Sequence, residues 1–401
     1  MDSILHDFPY GTKEPRVLHL FSYYLGLTEG WLFNLLNNLP DTDILVASKH
    51  YFLTNFYSHR IKYIEFPIKT LMNPEKRLGR RLINALISQV VRLYPFYVRK
   101  TCGKCDLIHA HFATTGWEYL RLAKQLRVPY LVSFYGFDYE SLIFSSQKWK
   151  SRYCKLFKCA DIFLCEGSHG ARVLAELGCP PQKIRVVRLG VDVQNVPTFR
   201  RTKGPGELRL LQVASSVEKK GQKYALEAFV MALRRCPNMS LTFVGPGVKG
   251  RLHVELKTHT GMMCMEGKVS FFEAVDPMEL HNFMRDYHVF IHPSCYSQNM
   301  DCEGGAPIVL LDAQATGMPV ISTTHCDIPD EVSHGLTGLL SPEKDVESLA
   351  KSIEIFYHMG QHEYDEFSAR ARLHVTREYD IHSNAKKLRR LYHEIISANQ
   401  G

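Results

Sequence analysis

The sequence predicts an α/β protein of two doubly wound, Rossmann-like domains facing across a cleft. Three observations carry this. The chain has 401 residues, more than one hydrophobic core usually holds. Short apolar runs alternate with helical segments along both halves, the pattern of a parallel sheet covered on both faces. A polar, Pro/Gly-rich stretch, Asn195-Val196-Pro197-Thr198 through Lys203-Gly204-Pro205-Gly206, separates the halves and reads as a linker. The expected domains are 1–195 and 196–380, with residues 381–401 forming a helix that crosses back to the first.

In the first half, Val17–Phe21 reads as a buried strand, followed by a helix from Thr28 to Leu39. Ile44–Ala47 and Tyr63–Phe66 are further strands. Leu107–His111 and Tyr130–Phe134 bracket a helix from about Thr115 to Leu126. Asp161–Cys165, a helix ending at Gly178, and Ile184–Val187 complete the series. In the second half the strands are Leu208–Val213, Leu241–Val244, Val269–Phe272, Val289–Ile291 and Val320–Ser322. Amphipathic helices over Gln222–Arg235 and Glu279–Arg285 fall between them. His382–Ala398 is a basic amphipathic helix that packs through Leu388, Leu391, Tyr392, Ile395 and Ile396.

Hydrophobic content of 45% with 22% charged residues marks an ordinary globular chain rather than a disordered one. Formal charge is 49 − 41 = +8. That charge permits nucleotides, acidic lipids or nucleic acid alike and proves none. No apolar run approaches the roughly 20 residues that span a bilayer. Met1–Phe8 lacks the basic region and apolar core of a signal peptide. Eleven scattered cysteines, an odd count, fit a reducing compartment. Cys102-Gly103-Lys104-Cys105 precedes a strand and has no second Cys/His pair nearby, so it reads as two incidental thiols.

The most informative stretch is Ser294–Thr323. Glu303 opens a Gly-rich turn, Gly304-Gly305-Ala306-Pro307. The turn leads into a helical segment that carries Asp312 and stops at Gly317. Backbone N–H groups of such a turn and the positive end of a helix dipole make an anion site. Carboxylates on either side suit hydroxyls attached to that anion. Phosphate flanked by hydroxyls describes a nucleotide sugar, so the expected partner is a nucleotide sugar and not nucleic acid.

Glu303-Gly304-Gly305-Ala306-Pro307, Gly317-Met318-Pro319-Val320 and Glu218-Lys219-Lys220-Gly221 resemble the retaining GT-B glycosyltransferases of the glycogen-synthase-like superfamily. They look most like its family 4 branch that builds bacterial cell-surface polysaccharides and glycolipids, the colanic-acid and amylovoran type. Val213–Gly221 resembles that family's donor-phosphate loop, Val244-Gly245-Pro246-Gly247 its next strand and turn, and Arg188–Asp192 the segment closing its first domain. The resemblance implies transfer of a sugar from a UDP- or GDP-linked donor to a hydroxyl. No cofactor and no metal are implied, since nothing resembles an Asp-x-Asp site.

It implies roles residue by residue. Glu303 binds the sugar and Asp312 the ribose, although eight residues separate them here where the family has seven. Lys220 holds the diphosphate, with Gly304 to Ile308 and Gly245 lining the donor. Ser215 stands where relatives often carry Arg, so one donor-site cation is missing, which Lys219 or Arg251 need not replace. Tyr135, in Phe134–Asp138, stands where many relatives carry a sugar-contacting His, and Asp138 could cap a helix instead. His109 and His111 are expected on opposite faces of their strand, with His111 at its carboxyl end as the cleft candidate.

The acceptor implied is lipid-linked or an oligosaccharide, in the cytoplasm or at the inner membrane face. Asn73–Arg99 reads as a basic amphipathic helix, with Arg77, Arg80 and Arg81 on one side, that can lie on an anionic membrane or equally be an ordinary domain helix with a solvated basic face. The alternatives are a non-catalytic nucleotide-sugar binder, suggested by Ser215 and Tyr135, and a nucleotide-sugar epimerase of the same fold.

Overall fold

The computed structural model describes residues 14–25, 30–52, 57–65, 94–247, 267–305 and 307–400. The chain forms two compact units, residues 1–132 with 385–401, and residues 133–384.

The first unit is built on strands β1 (Arg16–Tyr24), β2 (Asp43–Tyr51), β3 (Ile61–Ile64), β4 (Leu107–His111) and β5 (Tyr130–Ser133), in the order β3-β2-β1-β4-β5. The central strand β1 runs parallel to both neighbours, with Leu18 opposite Leu45 on one side and Ile108 on the other. Helices α1 (Gly30–Asn37), α2 (Tyr94–Thr101) and α3 (Ala113–Leu126) accompany it. The α3 end is set by Arg127 in a left-handed conformation, its N–H bonded to the Ala123 carbonyl. Tyr94 is fully buried, and its hydroxyl donates to the carbonyls of Ser48 (2.8 Å) and Ile64 (2.9 Å), tying α2 to the sheet edge. Of the expected basic helix over 73–99, only the part within α2 lies among the described residues. Tyr392 of the C-terminal helix (Ile381–Ala398) is buried in this unit.

In the second unit β6 (Ile162–Cys165) and β7 (Ile184–Val186) pair in parallel, flanked in sequence by α4 (Lys148–Cys159) and α5 (Ser168–Glu176). A six-stranded sheet follows: β8 (Leu208–Val213), β9 (Met239–Val244), β10 (Val269–Phe272), β11 (Val289–His292), β12 (Val320–Thr323) and β13 (Gly338–Ser341). Its order is β10-β9-β8-β11-β12-β13, and its strand pairs are parallel. The order turns back at β8, the topology that places ligands at the carboxyl ends of the strands.

Both faces of this sheet are buried, which is why its strands are continuous apolar runs. Leu210, Ile291 and Ile321 pack toward Phe229 of α6 (Gln222–Leu233) and toward Ile353 and Phe356 further on. Their sequence neighbours Leu211, Phe290 and Val320 point the other way, onto a core with Met284 of α7 (Leu280–Met284) and Leu310 of α8 (Ile308–Ala315). Helix α9 (Val346–His358) starts where the Asp345 carboxylate accepts the Ser348 N–H at 3.0 Å. Helix α10 (Gln361–Glu378) follows at once.

The segment expected to be a plain linker is tied down. Arg201 and Lys203 are both buried. Arg201 donates to the carbonyls of Met284, Tyr287 and Thr316, and Lys203 Nζ to those of Tyr357 and Met359. Its basic residues are therefore backbone clamps rather than a solvated stretch. Arg201 also donates to the Thr316 hydroxyl at 2.8 Å. With no carboxylate among these partners the two cations are costly to bury, and burial pulls the Lys203 ammonium down to about 8.

Candidate functional site

The loop after β8 and the loop after β11 meet in the second unit, and glycine lets them. Gly221 sits at φ +67, and a Cβ there would strike the Pro293 carbonyl. The Cys295 N–H donates to the Lys219 carbonyl at 3.0 Å, and Gln212 Nε2 donates to the Lys220 carbonyl at 2.7 Å. These bonds fix the backbone on which Lys220 stands, just ahead of α6.

Lys220 Nζ lies 2.7 Å from Glu303 Oε2. The other carboxylate oxygen accepts from Ser294 Oγ at 3.1 Å and stands 3.7 Å from His292 Nε2, too far for a hydrogen bond. Only 6% of the Glu303 side chain is exposed, so it makes a nearly dry ion pair. Burial works to raise the Glu303 carboxyl. The Lys220 ammonium is the largest influence against it and holds it well below the usual carboxylate range, so it is ionised. His292 is fully buried, which lowers its pKa.

The turn itself is anchored from behind. The Glu303 N–H donates to His325 Nε2 at 3.2 Å, and His325 Nδ1 faces Glu343 Oε1 at 2.7 Å. The imidazole thus takes the Glu303 N–H on one nitrogen and offers a proton to Glu343 from the other. Gly304, at φ +78, rests against Gly136 so closely that a Cβ on either would overlap the other's backbone. This brings Tyr135 beside the Glu303 turn. Tyr135 is buried, and its N–H donates to Asp138 Oδ2 at 2.9 Å, so Asp138 closes the turn after β5. A Cβ on Gly305 would overlap the Glu166 carboxyl, which follows β6. Burial, Asp327 and Asp138 raise the Glu166 pKa well above the usual value.

Gly304→Ala should therefore destabilise the protein. The left-handed backbone alone costs about 1–3 kcal/mol for a residue with a Cβ, and the contact with Gly136 adds to it. A urea midpoint equal to wild type would show that this contact does not constrain the turn.

The remaining candidates are placed as follows. Asp312 lies on α8 with Oδ1 2.9 Å from His281 Nε2. It shares no hydrogen bond or ion pair with Glu303 among the described residues. Pro307 and Ile308 open α8. Ser215 uses its carbonyl to accept Gln222 Nε2 at 2.8 Å. Gly245 passes so close to the Ala214 carbonyl that no Cβ fits. Lys219 is engaged by Asp301 (3.2 Å) and the Cys302 carbonyl (2.8 Å). Ala306 and Arg251 lie outside the described residues.

His111 belongs to the first unit, and here the expectation needs correcting. A strand repeats every two residues, so positions two apart share a face. The His109 and His111 rings accordingly stack at 4.2 Å on one side of β4. His111 is fully buried, with Nε2 3.0 Å from His19 Nδ1 and its ring 4.3 Å from Phe21. His109 Nδ1 reaches the Tyr392 hydroxyl at 2.7 Å. Burial lowers the pKa of all three histidines, which keeps them neutral.

Sequence reasoning missed Ser294, Glu166, His325 and Glu343. One signal was available: a polar residue directly after an apolar strand, as Glu166 follows β6 and His325 follows β12 and one threonine. Among the described residues, two groups of three side chains could ligate a metal: His19, His109 and His111, and Cys302, His325 and Cys326. The Cys102–Cys105 pair joins no such group among the described residues.

Two parallel-sheet units, with an ionised carboxylate paired to a lysine at a Gly-rich turn before a helix, define a GT-B glycosyltransferase. The family of group 1 glycosyl transferases matches residues 198–374, and glycosyltransferase family 4 matches residues 45–195. The chain is 31% identical over 293 residues to WcaL of Salmonella typhimurium, a protein assigned to colanic acid biosynthesis as a glycosyltransferase. That alignment covers 72% of this chain and 71% of WcaL. It is 29% identical to the amylovoran biosynthesis glycosyltransferase AmsK of Erwinia amylovora, covering 70% and 68%. The chain belongs to this glycosyltransferase family.

Solved structures agree on the fold. Anabaena HepE, crystallised with UDP and glucose, superposes with a TM-score of 0.69 at 16% identity, covering 95% of this chain and 100% of that one. Sucrose-phosphate synthase from Thermosynechococcus elongatus gives 0.72 at 16%, covering 96% and 100%.

Proposed function

We propose that this glycosyltransferase moves a sugar from a UDP- or GDP-linked donor to an acceptor hydroxyl, with retention at the anomeric carbon and without a metal in the transfer step. The observation that carries this is the Lys220–Glu303 pair at the Gly-rich turn. The pair supplies two opposite demands at one place. A diphosphate leaving group needs a fixed cation, and sugar hydroxyls need a fixed acceptor. Lys220 and the first N–H groups of α8 hold the diphosphate, because the first turn of a helix has N–H groups without intrahelical partners. Glu303 accepts from the sugar, Asp312 from the ribose, and Tyr135 lies beside the sugar.

In this reading the departing phosphate oxygen helps take the proton of the incoming hydroxyl on the same face. The enzyme contributes position and charge rather than a nucleophile. Residues 196–380 bind the donor and residues 1–195 the acceptor. The names of WcaL and AmsK place those proteins in polysaccharide biosynthesis, which supports a lipid-linked or oligosaccharide acceptor at the cytoplasmic membrane face.

Incubation with labelled nucleotide sugars tests the reading. Transfer, or slow donor hydrolysis releasing the nucleoside diphosphate, is expected. Binding without turnover, or an isomerised donor, would overturn it.

No helix among the described residues is long and apolar enough to cross a membrane, so membrane contact would be peripheral. We expect the protein to sediment with anionic vesicles at low salt through residues 73–100. Arg77, Arg80 and Arg81 would each add about 1 kcal/mol near such a surface. Replacing all three with Gln should release the protein without lowering Tm much. Wild-type protein that stays in the supernatant would make the acceptor a soluble one or one delivered by a partner.

A further inference from the structure

Directly before Glu303 stands Cys302, and one threonine beyond the end of β12 stand His325 and Cys326. The three meet. Cys302 is 1% exposed and His325 fully buried. One ligating atom from each lies within 4.8 Å of the others. Cys326 Sγ is 3.3 Å from His325 Nε2. Around a tetrahedral zinc ion, with Zn–S about 2.3 Å and Zn–N about 2.0–2.1 Å, ligand atoms stand roughly 3.5–3.8 Å apart. The cluster therefore needs adjustments of about an ångström or less.

Two further observations point the same way. The second ring nitrogen of His325 is held by Glu343 at 2.7 Å, and Glu343 in turn accepts the Tyr296 N–H at 2.9 Å. A carboxylate behind the imidazole fixes its tautomer and orientation, the usual support of a metal-binding histidine. Cys326 also adopts φ +47, a left-handed conformation that a residue with a Cβ seldom takes. That backbone turns its sulfur toward His325 and is maintained at a cost.

We propose that Cys302, His325 and Cys326 form a site for a soft divalent cation of the zinc type, bound by two thiolates and one imidazole. Binding displaces the two thiol protons to solvent, and His325 Nε2 exchanges the Glu303 N–H for the metal. A water molecule completes four-coordination. The ion sits outside the Lys220–Glu303 pair and takes no part in transfer. It cross-links the turn carrying Glu303 to the segment after β12, which the Glu303 N–H to His325 bond already joins, and so holds the donor turn in place.

The full-length protein, reduced with a phosphine, is incubated with zinc sulfate and desalted. One equivalent of zinc should be retained. Cobalt(II) in its place should give thiolate-to-metal charge-transfer absorption and tetrahedral d–d bands, a readout in wild-type protein that needs no variant to fold. Cys302→Ser and Cys326→Ser should each lose the cobalt thiolate signal or halve it, and the double variant should lose the zinc. Cys102→Ser should bind as wild type does. Glu343→Gln should weaken zinc affinity about 10–100-fold while leaving the stoichiometry. Absence of any cobalt thiolate band in reduced wild type, or zinc retention surviving in the Cys302→Ser/Cys326→Ser double variant, would overturn the proposal. So would a Cys302–Cys326 disulfide in protein purified without reductant together with no metal uptake after reduction; the pair would then be a redox element.

Discussion

Glu303→Gln is expected to lower kcat/KM for sugar transfer about ten- to hundred-fold in a protein that still folds, with a lower Tm because Lys220 loses its counter-charge, since a hydrogen bond to a charged group is worth about 1.5–3 kcal/mol against a neutral replacement. Glutamine keeps the shape of the side chain. It still accepts from Ser294 Oγ, which donates to Glu303 Oε1 at 3.1 Å in the wild type. What it removes is the negative charge opposite Lys220 and the acceptor offered to sugar hydroxyls. Because Lys220 holds the wild-type carboxyl well below its ordinary value of 4.5, Glu303 is already ionised at that pH. Any acid limb of the activity profile in the neutral range must come from another group and should persist in the variant. Release of nucleoside diphosphate, read alongside Tm, checks both points. Full activity with a normal Tm would remove Glu303 from the site.

Much of the fold was legible in the sequence because parallel strands, buried on both faces, leave unbroken apolar runs. Leu107–His111, Leu208–Val213 and Val269–Phe272 were placed to the residue. β13 was missed because Gly-Leu-Leu-Ser has no β-branched or aromatic residue. The Glu303 turn was legible because a Gly-rich turn before a helix is a local signal. Its partners were not. Glu166, His325 and Glu343 reach the turn only through tertiary packing of sequence-distant loops, and no spacing rule encodes that. The two histidines of β4 were misplaced for another reason. Their pattern was read as alternation, although positions two apart in a strand share a face; His111 packs on His19 of β1, and His109 on Tyr392 of the sequence-distant C-terminal helix.

Lys220→Ala should weaken binding of nucleotide sugar and free nucleoside diphosphate alike, each by about ten- to hundred-fold, because its expected partner is the phosphate common to both. The same substitution should also destabilise the protein. Removing one partner of a buried ion pair leaves an uncompensated charge and costs about 3 kcal/mol or more. Here the abandoned group is Glu303, whose surroundings disfavour charge once Lys220 is gone. The sign of the pH effect follows. In the wild type the folded pKa is depressed, so the pair's stabilisation is present above 4.5 and is lost as pH falls through the folded value. In the variant the largest influence opposing burial is gone, leaving His292 and Lys219 to lower the pKa. The folded pKa is therefore expected to rise, Glu303 to burden the folded state at neutral pH, and protonation to relieve it as pH falls. The Tm gap between wild type and Lys220→Ala should therefore be widest near neutrality and narrow in acid. Adding Glu303→Gln to Lys220→Ala should restore much of the lost stability without restoring diphosphate affinity, since the orphaned charge goes while the missing cation does not return. Calorimetry with the nucleoside diphosphate and urea unfolding on the two single variants and the double variant separate these effects. Unchanged diphosphate affinity would exclude Lys220 from the donor site, and a Tm gap independent of pH would show that Glu303 finds another cation.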